Sequence, residues 1–259
     1  EYDLGAYLRE LVSHIDGAYR TLTSRRSRAT SGLSMGGFMS LYLSARYPDL
    51  IGSASAFNPG PEFYVGEKGR RMLWRPKDHV GNHTRTMVRL IRASGDFISQ
   101  YHEETRDAYA RADEVAFEYR RDEYHRHWAT SIAETFDFHM RAFANSTLDN
   151  VAEVWSHTDA YADFEVWNYH VRAEGAEPGF TCLEDVSQTG LRLTTRRWAP
   201  DGPPIPGGHV TITTAPLYNP SSSYMLLDYN LSTGITSKQE VHSDQEGRLT
   251  LMTNGAGHQ

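Results

Sequence analysis

The chain has 259 residues, 39% hydrophobic and 23% charged, which suits one large or two ordinary packed domains and excludes wholesale disorder. A formal net charge of -7, with no basic cluster interleaved with aromatics, argues against general nucleic-acid or anionic-membrane binding. No apolar run of about eighteen residues occurs, so no membrane span is expected. The single cysteine, Cys182, can form neither an intrachain disulfide nor a Cys-based zinc site, and reads as a small buried apolar residue.

In chain order, Leu4, Leu8, Leu11, Ile15 and Tyr19 fall on one face of a helix expected over residues 4–22. Arg28 to Ser34 reads as a short buried strand, and the sequence from Leu41 to Arg46 as the body of a helix stopped by Tyr47-Pro48. Between them lies Gly32-Leu33-Ser34-Met35-Gly36-Gly37. A Gly-x-Ser-x-Gly pattern between a strand and a helix is a nucleophile-elbow signature. A serine on so sharp a turn is expected to leave no room for side chains two residues to either side, which accounts for Gly32 and Gly36. Its Oγ then projects at the helix N-terminus, and the Met35 N–H is placed to serve an oxyanion hole.

Leu50 to Phe57 is a second apolar run, closed by the turn signal Asn58-Pro59-Gly60-Pro61. Arg85 to Ala93 reads as a third strand, Gln100 to Arg111 as a polar helix, and Val115 to Tyr119 as a fourth strand. A helix from Ser131 to Phe143 is expected to open on a capping box of Ser131 and Glu134. This alternation predicts an α/β unit over residues 1–146 with a parallel sheet flanked by helices. Beyond Asn145–Asn150 the helical period fades. Phe164–Val171, Gly190–Trp198, Gly208–Thr214, Tyr224–Leu231 and Arg248–Thr253 read as strands, and Asp244-Gln245-Glu246-Gly247 as a hairpin turn. Residues 151–259 are thus expected to form a small antiparallel, immunoglobulin-like β-sandwich.

A nucleophilic serine needs a base, and the base an orienting acid. Asp96 follows the third strand at its carboxyl end, where ligand chemistry collects in open α/β sheets; Asp78 and Asp122 are weaker candidates. His125 and His127 both lie in the loop after the fourth strand. His127 is preferred for its place nearer the helix and beside Trp128, a candidate wall for an acyl pocket. His102 reads as exposed on a polar helix, His139 as facing solvent or the domain boundary, and His170, His209 and His242 as surface residues without metal-ligand spacing. His79 and His83 lie in a polar loop with no defined ligand pattern, so no metal is expected.

The run Ser31-Gly32-Leu33-Ser34-Met35-Gly36-Gly37-Phe38, followed by Ala45-Arg46-Tyr47-Pro48-Asp49-Leu50-Ile51, resembles the esterase D-like group of α/β-hydrolases, which includes feruloyl esterases, S-formylglutathione hydrolases and mycolyltransferases. The resemblance covers about residues 1–144. It implies Ser34 as nucleophile, Asp96 as acid, His127 or His125 as base, and ester chemistry without metal or organic cofactor, on a small-molecule or glycan-linked ester. The four strands match the second half of a sheet of roughly eight, so the chain reads as a fragment of a longer, secreted or periplasmic protein, with an exposed sheet edge and half of its oxyanion hole missing. An acyltransferase or serine peptidase would use the same triad. A rival of another class is a carbohydrate-binding protein with a remnant hydrolase unit, binding through Trp155, Tyr161, Trp167 and Tyr218. These aromatics read more readily as core and interface.

Overall fold

The computed structural model describes residues 4–93, 95–122, 128–175, 177–205, 207–254 and 257–259. Helix α1 (Leu4–Ala18) leads into strand β1 (Ala29–Leu33), helix α2 (Met35–Arg46) and strand β2 (Ser53–Phe57). A small hairpin, β3 (Phe63–Val65) with β4 (Met72–Trp74), precedes β5 (Met87–Ala93), α3 (Ser99–Ala110), β6 (Ala116–Asp122) and α4 (Trp128–Ala144). Helix α1 stops four residues short of the expected end, just after Gly17, a poor helix former. Helix α4 starts three residues early, so Ser131 and Glu134 lie inside it and form no capping box. The Ser131 carbonyl instead accepts from the Thr135 hydroxyl at 2.6 Å.

Strands β1, β2, β5 and β6 form one parallel sheet in that order. The central strand β2 is Ser-Ala-Ser-Ala-Phe and buried throughout, because helices cover both of its faces. Ala54, Ala56, Val88 and Leu90 join Phe38, Leu41 and Tyr42 of α2 in one buried cluster. Ser53 and Arg89 point the other way, toward α4. There the Ser53 hydroxyl lies 2.8 Å from His139 Nδ1, and Arg89 pairs with Glu134 at 2.8 Å. His139, on α4, is therefore buried between that helix and the sheet and does not face solvent, and burial pushes its pKa down to about 4.

The second half holds β7 (Trp155–Asp159), β8 (Asp163–Val166), β9 (Tyr169–Glu174), β10 (Phe180–Ser187), β11 (Gly190–Arg196), β12 (His209–Thr213), β13 (Ser223–Tyr229), β14 (Thr236–His242), β15 (Thr250–Asn254) and β16 (Gly257–His258). Two four-stranded antiparallel sheets, β16-β11-β10-β7 and β15-β12-β9-β8, share a buried cluster that takes Trp155, Leu183 and Leu193 from one and Val166, Val171 and Ile212 from the other. The run read as one strand over 164–171 is a hairpin, turned by Trp167 and Asn168 at positive φ. The Asp244–Gly247 turn is real but joins β14 to β15, which lie in different sheets.

The two halves pack together. Phe180, Cys182 and Ala199 belong to the same buried cluster as Tyr42, Val65 and Trp74. The Asn82 side chain donates to the carbonyls of Ala45 and Thr158, and Arg46 Nε lies 3.4 Å from Asp159 Oδ2 in a buried ion pair. Arg25 is buried at the same seam. Its guanidinium donates to the carbonyls of Pro48, Ile51, Arg85 and Leu148 and to the Thr86 hydroxyl.

Candidate active site

Ser34 ends β1 and opens α2 at φ 55° and ψ -116°, a region that side-chain-bearing residues avoid at a cost of about 1–3 kcal/mol. Such strain persists only where the surroundings enforce it. The Ser34 N–H donates to the Phe57 carbonyl at 2.9 Å, and the Ser34 carbonyl accepts from Phe38 N–H at 2.9 Å and Gly60 N–H at 3.1 Å. Serine at a helix start ordinarily bonds the first-turn amides through its hydroxyl. Ser34 makes no such bond, and the residue is exposed. The Oγ therefore stands clear at the positive end of α2, beside the Met35 N–H in the first helical turn.

The crowding is asymmetric. A Cβ on Gly32 would lie 2.3 Å from the backbone carbonyl carbon and oxygen of Gly36, and one on Gly37 would lie 3.0 Å from the Gly32 and Phe57 carbonyl oxygens. A Cβ on Gly36 would meet nothing within 4 Å. The expectation of two forbidden neighbours holds at Gly32 but not at Gly36. It is the Gly36 backbone that fills the space beside Gly32, while Gly37 seats the helix against the sheet.

Asp96 lies in the turn between β5 and α3, buried, with its carboxylate accepting from the Ile98 N–H at 3.0 Å. Since β1, β2 and β5 are adjacent and parallel, Ser34 and Asp96 emerge at the same end of the sheet, two strand spacings or roughly 10 Å apart along it. His125 and His127 fall between β6 and α4, outside the described residues. Asp122 ends β6, and Asp78 sits in a short 3-10 turn with no part in this constellation.

Two residues of the site carry no recognisable sequence signal. Asn58 follows β2, is 1% exposed, and adopts φ 38°. Its Oδ1 accepts from the Ala93 N–H at 2.7 Å. His102, expected on the solvent face of α3, is buried with Nε2 3.0 Å from the Pro59 carbonyl, and burial lowers its pKa. The i, i+4 pattern of α3 is too polar to mark His102 as inward, and Asn58-Pro59-Gly60 reads only as a turn. Around the two turns Leu33, Met35 and Phe97 are exposed apolar side chains, Phe97 at 90%.

The other histidines resolve individually. His83 is buried between Ser44 Oγ and Tyr109 OH, both at 2.8 Å, and burial pushes its pKa down to about 3. His79 is stacked on Trp74, likewise buried, with a pKa lowered to about 4. The loop that looks polar in sequence is thus an interior one. His170 bonds Asp163 at a half-exposed position, and His209 and His242 are exposed. Cys182 is buried, which pushes its thiol up to about 11.

Comparison with known proteins bears on the first half of the chain. The family model described as Putative esterase matches residues 2–137, more than half of the sequence. Three solved structures are similar. A ferulic acid esterase shares 18% identity at a TM-score of 0.41, over 53% of this chain and 60% of that one. FphF, a Staphylococcus aureus fluorophosphonate-binding serine hydrolase, shares 15% at 0.41, over 52% and 62%. A CE1 ferulic acid esterase from the anaerobic fungus Anaeromyces mucronatus shares 21% at 0.41, over 54% and 52%. The chain thus spans less than two thirds of each. No curated protein sequence matches it.

Proposed function

Because the chain belongs to the Putative esterase family, we propose that it is a serine hydrolase that cleaves carboxylic esters through an acyl-enzyme on Ser34. The observation that carries this reading is the backbone of Ser34: a strained, exposed serine whose hydroxyl caps no helix, at the carboxyl end of a parallel strand. In this reading His127, or else His125, takes the Ser34 proton as Oγ attacks the ester carbonyl, and Asp96 orients the imidazole. The Met35 N–H donates to the tetrahedral oxyanion. The imidazolium returns its proton to the departing alcohol. Water, deprotonated by the same base, then releases the acid and restores Ser34.

The exposed Leu33, Met35 and Phe97 beside the nucleophile and acid turns favour an acyl group with an apolar body, on a small-molecule or glycan-linked ester. Residues 151–259 are read as an accessory β-sandwich domain. The carbohydrate-binding rival is weakened because Trp155 and Trp167 are 4% and 8% exposed and occupied in the core. A fluorophosphonate probe and p-nitrophenyl esters of short acids test the assignment. Labelling of Ser34 and turnover, both lost in Ser34→Ala and His127→Ala, are the expected result. Turnover that survives His127→Ala but not His125→Ala moves the base to His125. A folded protein that neither labels nor turns over refutes the esterase reading.

A further inference from the structure

We infer that Asn58, backed by His102, is a positioning residue that holds the nucleophile turn and the acid turn at a fixed separation; the inference rests on the esterase reading above. Asn58 extends the β2–β5 pairing one residue beyond its last register pair, Phe57 with Ile91, by donating its N–H to the Ile91 carbonyl at 2.9 Å. In the same left-handed backbone its side-chain oxygen takes the N–H of Ala93, the last residue of β5. The acid turn starts on that residue, for Asp96 N–H returns to the Ala93 carbonyl at 3.4 Å. On the other side, Phe57 and Gly60 bond the N–H and the carbonyl of Ser34. Four consecutive residues, 57–60, therefore touch the strained serine with one set of groups and the root of the acid turn with another.

His102 holds the middle of this loop. A carbonyl can only accept, so the 3.0 Å contact to Pro59 places the ring proton on Nε2. Nδ1 is then a bare acceptor, buried and without a hydrogen-bond partner among the described residues. Leaving such a group unsatisfied costs stability. Leucine would fill the same space without that cost, so a histidine here is explained by the grip of Nε2 on Pro59. Asparagine at position 58 has a parallel logic. Glycine would suit φ 38° better, but only a side chain with an acceptor reaches Ala93.

The test uses Asn58→Gly, which keeps the left-handed backbone and removes the side-chain acceptor, and His102→Leu, which removes the Pro59 contact. Four readouts are compared with the wild type and with Asp96→Asn: thermal unfolding, the rate of fluorophosphonate labelling at Ser34, kcat and KM for p-nitrophenyl acetate, and the strongly downfield proton resonance of an Asp–His hydrogen bond. Asn58→Gly is expected to fold and to lose on the order of 10²-fold in kcat, the effect of about 1 Å of misplacement. Its KM should stay within about twofold, and the downfield resonance should be lost as in Asp96→Asn. A folded Asn58→Gly with wild-type kcat and resonance overturns the inference while leaving the esterase reading intact. Should Asn58→Gly not fold, His102→Leu decides by the same readouts, with a loss of about tenfold expected. A wild type in which Ser34 does not label overturns the esterase reading, and this inference with it.

Discussion

Replacing Arg25 should cost more stability than any surface change in the chain, and the structure says by how much. The side chain is 6% exposed and donates to four backbone carbonyls and one hydroxyl drawn from the α2–β2 connection, the β4–β5 connection and the turn at Leu148. Burial opposes its charge and lowers its pKa to about 10, so the guanidinium is still fully protonated near neutrality. Arg25→Met keeps most of the apolar stem and removes every donor. Each buried carbonyl left without a donor costs about 1–3 kcal/mol, offset by the desolvation that the charge no longer suffers. A net loss of about 4 kcal/mol follows, a large share of the 5–15 kcal/mol typical of a folded domain. At roughly 2–4 °C per kcal/mol for a chain of this size, Tm should fall by about 12 °C. Thermal unfolding followed by circular dichroism, with urea titration beside it, measures both quantities. A fall of less than about 3 °C would mean that water replaces the guanidinium without loss, and would refute the accounting.

The elbow glycines should separate cleanly. Gly32→Ala forces a Cβ to within 2.3 Å of the Gly36 backbone and should slow labelling of Ser34 on the order of 10²-fold, whereas Gly36→Ala meets open space and should stay within about threefold, as active-site titration would report. His79, His83 and His139 are buried neutral, with pKa values pushed down to about 4, 3 and 4 from 6.5. The unfolded chain therefore binds more protons than the folded one below about pH 6.5. Stability is complete above that pH and falls as pH drops toward 4, by about 1.4 kcal/mol per pH unit for each histidine. Tm measured against pH should show this slope, and His139→Phe should make it shallower. Breaking the buried Arg46–Asp159 pair from either side should cost about 3–5 kcal/mol, while the double change Arg46→Met with Asp159→Leu should cost less than either alone in urea unfolding.

In the α/β unit, buried runs of small or apolar residues bounded by turn signals are placed by the sequence alone, whereas the buried β7 and β10 are not. The four parallel strands and the four helices around them are legible because Ser53–Phe57 and most of Met87–Ala93 are buried runs and glycine or proline punctuates them. The placement of Ser34 and Asp96 after two strands of one sheet is legible because chain order and strand ends constrain it. Strand β14, Thr-Ser-Lys-Gln-Glu-Val-His, is almost wholly exposed and has no apolar alternation to read. His102 and Asn58 were hidden for a different reason. Their roles come from partners 43 and 35 residues away, which no local pattern encodes. The 79–83 loop reads as polar because its neighbours in sequence are polar, yet its histidines are covered by Trp74, Phe180 and Tyr109, which are supplied by other elements.

The change of texture near Asn145 marks a boundary in sequence, but packing does not stop there. Phe180, Cys182 and Ala199 complete a cluster begun by Phe38, Tyr42 and Trp74, and the Arg25 guanidinium reaches across to Leu148. A gene truncated at Asn150 would therefore express a helical layer with its aromatic underside bare, prone to self-association. For the same reason heating should produce one calorimetric peak, not two, since neither half can melt while the other keeps its share of that cluster. Any recombination of this α/β unit with a different partner would have to reinvent the surface beneath Trp74 before it gained a new specificity.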